Sequence, residues 1–218
     1  MPALLTNKVH DREPIWHLQL TMIAAMALQL ILPDKYVFGS RYLLLAIEAL
    51  LLVAMSFTTP KEKVFRSLTR RINVFLLIAF AGLANLYALI ELAHKLLQEG
   101  KIQNGKQLIL AAINIFLTNI IIFGLWYWEM DGGGPGARRE AKKHERDFLF
   151  PQTDNADFPR WQPTFIDYLY VAGTNATAFS PTDTMPLSRR AKMLMFAQAL
   201  ISLVTIALVA ARAVNILS

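Results

Sequence analysis

Phe165-Ile166-Asp167-Tyr168-Leu169-Tyr170-Val171-Ala172, followed by Gly173-Thr174-Asn175-Ala176-Thr177-Ala178-Phe179-Ser180-Pro181-Thr182-Asp183, is the stretch on which the reading of this chain turns. The first part is apolar but too short to cross about 30 Å of hydrocarbon, which takes about 20 residues at about 1.5 Å each. The second part is rich in hydroxyls and amides. A full-length apolar helix from about Leu187 to Leu217 comes next. Half-helix, polar turn and complete span together outline a re-entrant loop. Irregular backbone at membrane depth persists only where it is buried in protein or lines a wet cavity.

Working outward, apolar residues make up 55% of the 218 positions and charged residues 17%. They are gathered in blocks about 17 to 25 residues long, as spanning helices require. Spans are expected at about Ile15 to Leu32, Tyr42 to Phe57, Ile72 to Leu97 and Leu108 to Trp128. Trp16 and the run Trp126-Tyr127-Trp128 suit an interfacial aromatic belt. Asp131 to Gly136 breaks the pattern, and the charged, Pro-containing stretch after it reads as a connector. The expected architecture is all-α: a scaffold of four spans over 1–128, a solvent-exposed connector over 129–163, and a re-entrant segment with a fifth span over 164–218. No internal repeat is visible, which argues against an inverted-repeat transporter.

The formal net charge is +6. Lys and Arg flank the apolar blocks, where they act as topology determinants and headgroup anchors, so the lipid bilayer is the expected partner and nucleic acid is not. With five spans, the N-terminal tail and the second and fourth connectors share a side and carry 16 of the 22 Lys and Arg residues. That distribution places the N-terminus in the cytoplasm and the C-terminus outside. The first apolar block runs past signal-peptide length and is read as a retained span of a multi-pass protein of a cell membrane. No cysteine is present, which excludes disulfides, thiolate metal sites and cysteine nucleophiles.

Gly173, Thr174, Asn175, Ala176, Thr177, Ala178, Phe179, Ser180 and Asp183 are the candidate ion-pathway residues of the turn. Rings of hydroxyls, carbonyls or carboxylates in an oligomer replace an ion's water. The same Thr, Asn and Ser residues also suit helix caps, and both readings stand. Gln198, Ser202, Thr205, Val209 and Arg212 are spaced to share one face of the last helix. That face lines a path through Ser202 and Thr205, or forms a helix–helix seam. Glu48, Glu91, His94 and Arg212 are the charged residues expected within or beside spans, and intramembrane charges are costly unless paired or wet. The four histidines show no metal-ligand spacing. The Gly132 to Gly136 run lacks the Lys-Ser/Thr of a phosphate loop. No Ser-His-Asp or paired-carboxylate arrangement is present, and neither an enzyme nor a cofactor is expected.

From these residues two resemblances follow. The half-helix, the turn from Thr174 to Thr177, Asp183 and the last helix resemble the pore-loop module of tetrameric potassium-type channels. The Thr-Val-Gly-Tyr-Gly filter of that family is replaced here by Thr174-Asn175-Ala176-Thr177-Ala178-Phe179, so potassium selectivity is not implied. The family's pore loop faces outward, the reverse of the orientation given by basic residues. The pieces LWYWEMDGGGP, DFLFPQ and DYLYVAGTNATAFSPTDTMPLSRRAKMLMFAQALISLVTIALVAARAVNIL resemble an uncharacterised prokaryotic multi-pass membrane family. That resemblance implies an aromatic residue where Gly173 stands. The leading expectation is a homo-oligomer, with a tetramer favoured, that passes monovalent cations through a central pore. A proton-coupled or small-solute transporter using Glu48, Glu91 and His94 is the alternative, and a non-conducting scaffold is a third.

Overall fold

The computed structural model describes residues 16–37, 40, 42, 45–46, 48–50, 53, 68–97, 105–138, 140–159, 161–180 and 183–217. Helix dominates. The principal helices are α1 (Trp16–Ile31), α2 (Leu68–Leu97), α3 (Gly105–Met130), α4 (Phe165–Ala178) and α5 (Arg189–Leu217). Two short strands, β1 (Phe148–Leu149) and β2 (Met185–Pro186), pair antiparallel.

Among the described residues, three segments are long and apolar enough to cross a membrane: Arg71–Leu96, Gln107–Gly133 and Arg189–Ala211, with mean hydropathy of 2.0 or more. They mark a membrane-associated protein. α1, at 16 residues, falls short of that length. Most of the span expected from Tyr42 to Phe57 lies outside the described residues. Those described within it, Tyr42, Leu45, Ala46, Glu48, Ala49, Leu50 and Val53, are helical.

α3 is the most buried of the three long segments, and all the other long helices pack on it. α2 and α3 form a hairpin with two core zones. Ala88, Leu89 and Leu92 meet Leu108, Ala111, Ala112 and Ile115 at one end, sealed by Tyr36. Val74, Leu77, Ile78 and Ala81 meet Ile122, Phe123 and Leu125 toward the other. Outer faces carry exposed Leu76, Leu83 and Ile90 on α2, and Phe196, Leu200 and Leu203 on α5. Water would penalise such surfaces, whereas hydrocarbon suits them.

Residues 129–163, expected as a solvent-exposed connector, are exposed at Glu140, Lys142, His144, Glu145 and 155–159, with a buried set beside them. Glu129, Asp131, Arg138, Asp147, Phe148 and Phe150 are buried, as is Arg146. Asp131 is the organising group: its carboxylate accepts from the backbone N–H of Asp147 at 2.6 Å and of Phe148 at 3.2 Å, and from the Tyr168 hydroxyl. Gly132, Gly133 and Gly134 all have positive φ, which lets the chain fold back immediately after α3. Arg138 donates to the Trp128 carbonyl at 2.8 Å and lies over the Tyr168 ring. The buried charges of this stretch, Arg138, Arg146 and Asp147, are hydrogen-bonded inside the fold, as buried polar groups require.

This folded loop sets the direction of the last two helices. Tyr168, near the start of α4, is tied to Asp131. Arg190, at the start of α5, makes a bidentate contact with Asp147 at 2.7 and 2.8 Å. Both helices therefore begin at the C-terminal end of α3 and run back along it. α4 descends 14 residues, about 21 Å. By Met185 the chain is again beside Leu149 at the end where α4 began.

Candidate functional site

The expected turn at Gly173 is corrected by the structure: Gly173 to Ala178 continue the helix, and α4 ends one and a half turns later, at Phe179 with φ of 52°. Three local features explain this. Asp167 accepts from the Thr164 N–H at 2.6 Å and from its hydroxyl at 2.9 Å, fixing the first turn. Thr174 donates to the Tyr170 and Val171 carbonyls at 3.0 and 3.1 Å, and Thr177 donates to the Gly173 carbonyl at 2.9 Å. Such back-bonding lets Thr remain in a helix without an orphaned donor. Asn175 finally locks the C-terminal half, its amide donating to the Met195 carbonyl at 2.9 Å and Gln198 Oε1 at 2.8 Å.

The candidate pathway residues thereby separate into two groups. Asn175 and Ala176 face inward and are buried. Gly173 and Thr174 are half-buried, while Thr177, Ala178, Phe179, Ser180 and Asp183 are exposed. A Cβ built on Gly173 would meet nothing within 4 Å. Ile166, Tyr170, Gly173 and Thr177 are spaced to share the outward face. Each Thr hydroxyl has committed its proton to the backbone, so its oxygen offers lone pairs. The last carbonyls of α4 have no helical partners and form the negative end of the helix dipole. Exposed Asp183 follows, accepting from Thr184 at 3.3 Å. Outer face and C-terminal end together present hydroxyl, carbonyl and carboxylate oxygens.

The inward group joins a hydrogen-bond network centred on Gln198. Its Oε1 accepts from the Tyr127 hydroxyl at 2.6 Å and from Asn175, and its Nε2 donates to the Ala172 carbonyl at 2.9 Å. One turn on, Asn119 donates to Ser202 Oγ at 2.9 Å. Thr205 is also buried and donates to the Ile201 carbonyl at 2.7 Å. Of the polar stripe expected on α5, Gln198, Ser202 and Thr205 are buried, and Gln198 and Ser202 meet α3 and α4 as a seam, while Val209 is half-buried. Gln198→Leu should lower stability by about 2–4 kcal/mol, since it strands the Tyr127 hydroxyl and takes an acceptor from the Asn175 amide. Thermal unfolding in detergent checks this, and Ser202→Ala should cost much less.

Of the charged candidates, Glu48 is fully buried and accepts from Gln29 Nε2 at 2.9 Å. Glu91 pairs with Lys95 at 3.3 Å, and His94 is exposed. Among the described residues, Glu48 is bonded to Gln29 and Glu91 to Lys95. The side chain of Arg212 lies outside the described residues. Among the described residues, no group of three or more His, Cys, Asp or Glu side chains is arranged to hold a metal. Sequence reading missed Asp131 and Gln29, because their partners lie 16 to 37 and 19 positions away. No family model, no curated protein and no solved structure matches this chain.

Proposed function

We propose that this chain is a multi-pass protein of a cell membrane that assembles as a homo-oligomer, with a tetramer favoured, and passes monovalent cations between copies along the outward face and C-terminal end of α4. The observation that carries the reading is the path of residues 165–186. A helix of about 21 Å leaves the Asp131 end of the bundle, and the chain returns to that same end at β2. An element shorter than the hydrocarbon thickness that enters and leaves on one side is re-entrant, and its irregular tip needs protein or water around it. Asn175, Ser202 and Thr205 are committed to interior hydrogen bonds, which directs the path to the outside of each subunit.

At that surface Gly173 leaves room, Thr174 and Thr177 supply oxygens, and Asp183 sets the charge at the mouth. Passive flow needs no chemical step and no cofactor. Reconstituted in liposomes, the protein should pass cations, and Asp183→Asn should lower the cation-to-anion preference severalfold. Thr177→Val should change the order of preference among monovalent cations. Liposomes as tight as empty ones would reject the proposal.

A second reading, proton-coupled or small-solute transport, is favoured by one observation: Glu48 is buried beside Gln29. It expects pH-dependent uptake that Glu48→Gln abolishes while Asp183→Asn leaves it intact.

A further inference from the structure

The Glu48 and Gln29 side chains are joined by one hydrogen bond where two can form. Gln29 Nε2 donates to Glu48 Oε1 at 2.9 Å. The other two oxygens of the pair, Glu48 Oε2 and Gln29 Oε1, are both buried and, among the described residues, both without a hydrogen-bond partner. Glu48 is 0% exposed and Gln29 9%. Each orphan atom is an acceptor, so neither can satisfy the other, and each carries the desolvation penalty of a stranded buried acceptor. One added proton resolves both.

We propose that Glu48 and Gln29 form a proton-binding site, in which a proton on Glu48 Oε2 is donated to Gln29 Oε1 and closes a cyclic acid–amide pair between α1 and the Glu48 helix. The proton arrives from water and leaves to water, and no other bond changes. Loss of the proton turns the ring into a carboxylate opposed to an amide carbonyl, two acceptors that separate. The pair is thus a pH-sensitive tie between two helices, and it holds whether or not the protein conducts along α4.

A metal cation fits the pair less well. Hard cations such as Ca²⁺ take six or more oxygens, and the pair offers two. The surroundings also leave Glu48 without a charged neighbour of its own depth. Apart from Glu48 itself, no Asp, Glu, His, Lys or Arg stands in 19–32, 42–57, 72–90, 107–128 or 193–211. Charged groups stand only beyond the ends of these stretches, as do Asp34 after α1, Arg41 before 42–57, Arg71 and Glu91 on either side of 72–90, and Lys106 before 107–128. A lone carboxylate in an apolar bundle is costly, whereas a hydrogen-bonded carboxylic acid is not.

Infrared spectroscopy of the full chain in liposomes tests the proposal through the carbonyl stretch of a protonated carboxyl group. At neutral pH the parent protein should show a carboxylic-acid band that Glu48→Gln removes. Gln29→Leu should keep that band and move it to higher frequency, because the acid loses its amide partner. This second variant serves if Glu48→Gln does not fold. Absence of the band in the parent overturns the proposal, as does an unshifted band in Gln29→Leu. Sodium addition that converts the acid to carboxylate in the parent also overturns it, and would reveal a cation site.

Discussion

Gly173→Phe is expected to abolish cation flux while leaving the protein at least as stable as the parent. Gly173 lies inside α4 with helical neighbours on both sides, and a Cβ added there meets no atom within 4 Å. Phe gains about 0.5 kcal/mol over glycine in helix propensity, and its Cβ enters open space. A ring at the meeting surface of several copies, however, would fill the passage that Gly173 leaves. The combination separates blockage from misfolding. Flux assays in liposomes, run beside thermal unfolding of the same preparation, check it. Parental flux from a stably folded Gly173→Phe would place the conduction path elsewhere. Gly173→Ala, with a single methyl, should retain most of the flux.

Asp131→Ala should be the most damaging single substitution outside the apolar cores, costing on the order of 4 kcal/mol. It strands the Asp147 and Phe148 N–H groups and the Tyr168 hydroxyl in a buried setting. Those three groups anchor the returning loop, β1 and α4 in turn, so the loss should propagate. Phe148 and Phe150 pack on Tyr168 with ring centroids 6.0 and 5.2 Å apart, and the Arg190 contact to Asp147 depends on the same loop. The expected result is a large fall in unfolding temperature together with new protease cleavage within 132–163. Asp131→Asn keeps one acceptor oxygen and should fall between. An unfolding temperature near that of the parent would mean that the loop is held chiefly by its aromatic contacts.

The long helices were legible because length and unbroken hydropathy are local properties. α2, α3 and α5 follow the expected apolar blocks closely. The stripe of Gln198, Ser202 and Thr205 was legible from helical spacing, and the structure buries all three. What it faces was not legible, because spacing fixes a face and says nothing of the neighbour. The continuation of α4 through Gly173-Thr174-Asn175-Ala176-Thr177 was missed for a related reason. Gly and β-branched Thr lower helix propensity, so the stretch reads as a turn. Two Thr back-bonds and the Asn175 contact to α5, 20 and 23 positions away, outweigh that weak preference.

Residues 129–163 show the same limit more sharply. Alternating Arg, Lys, Glu and Asp resemble a solvated surface in one dimension. Glu140, Lys142 and Glu145 are indeed exposed, whereas the burial of Asp131 and Asp147 rests on Asp131 finding Tyr168 and Asp147 finding Arg190, 37 and 43 positions on. No local pattern announces such pairings. The Glu48 and Gln29 contact has the same character: the carboxylate stood out in sequence because of its apolar flanks, while the amide that meets it did not.

Because the chain contains no cysteine, a single thiol can be placed at will. The most direct measurement is cation flux into liposomes carrying Gly173→Cys, recorded before and after a membrane-impermeant, positively charged thiol reagent. Conduction along the outer face of α4 predicts that the reagent reacts and that flux falls to near the level of empty liposomes. Flux that stays at its starting level after complete labelling, or a thiol that only lipid-soluble reagents reach, would contradict it.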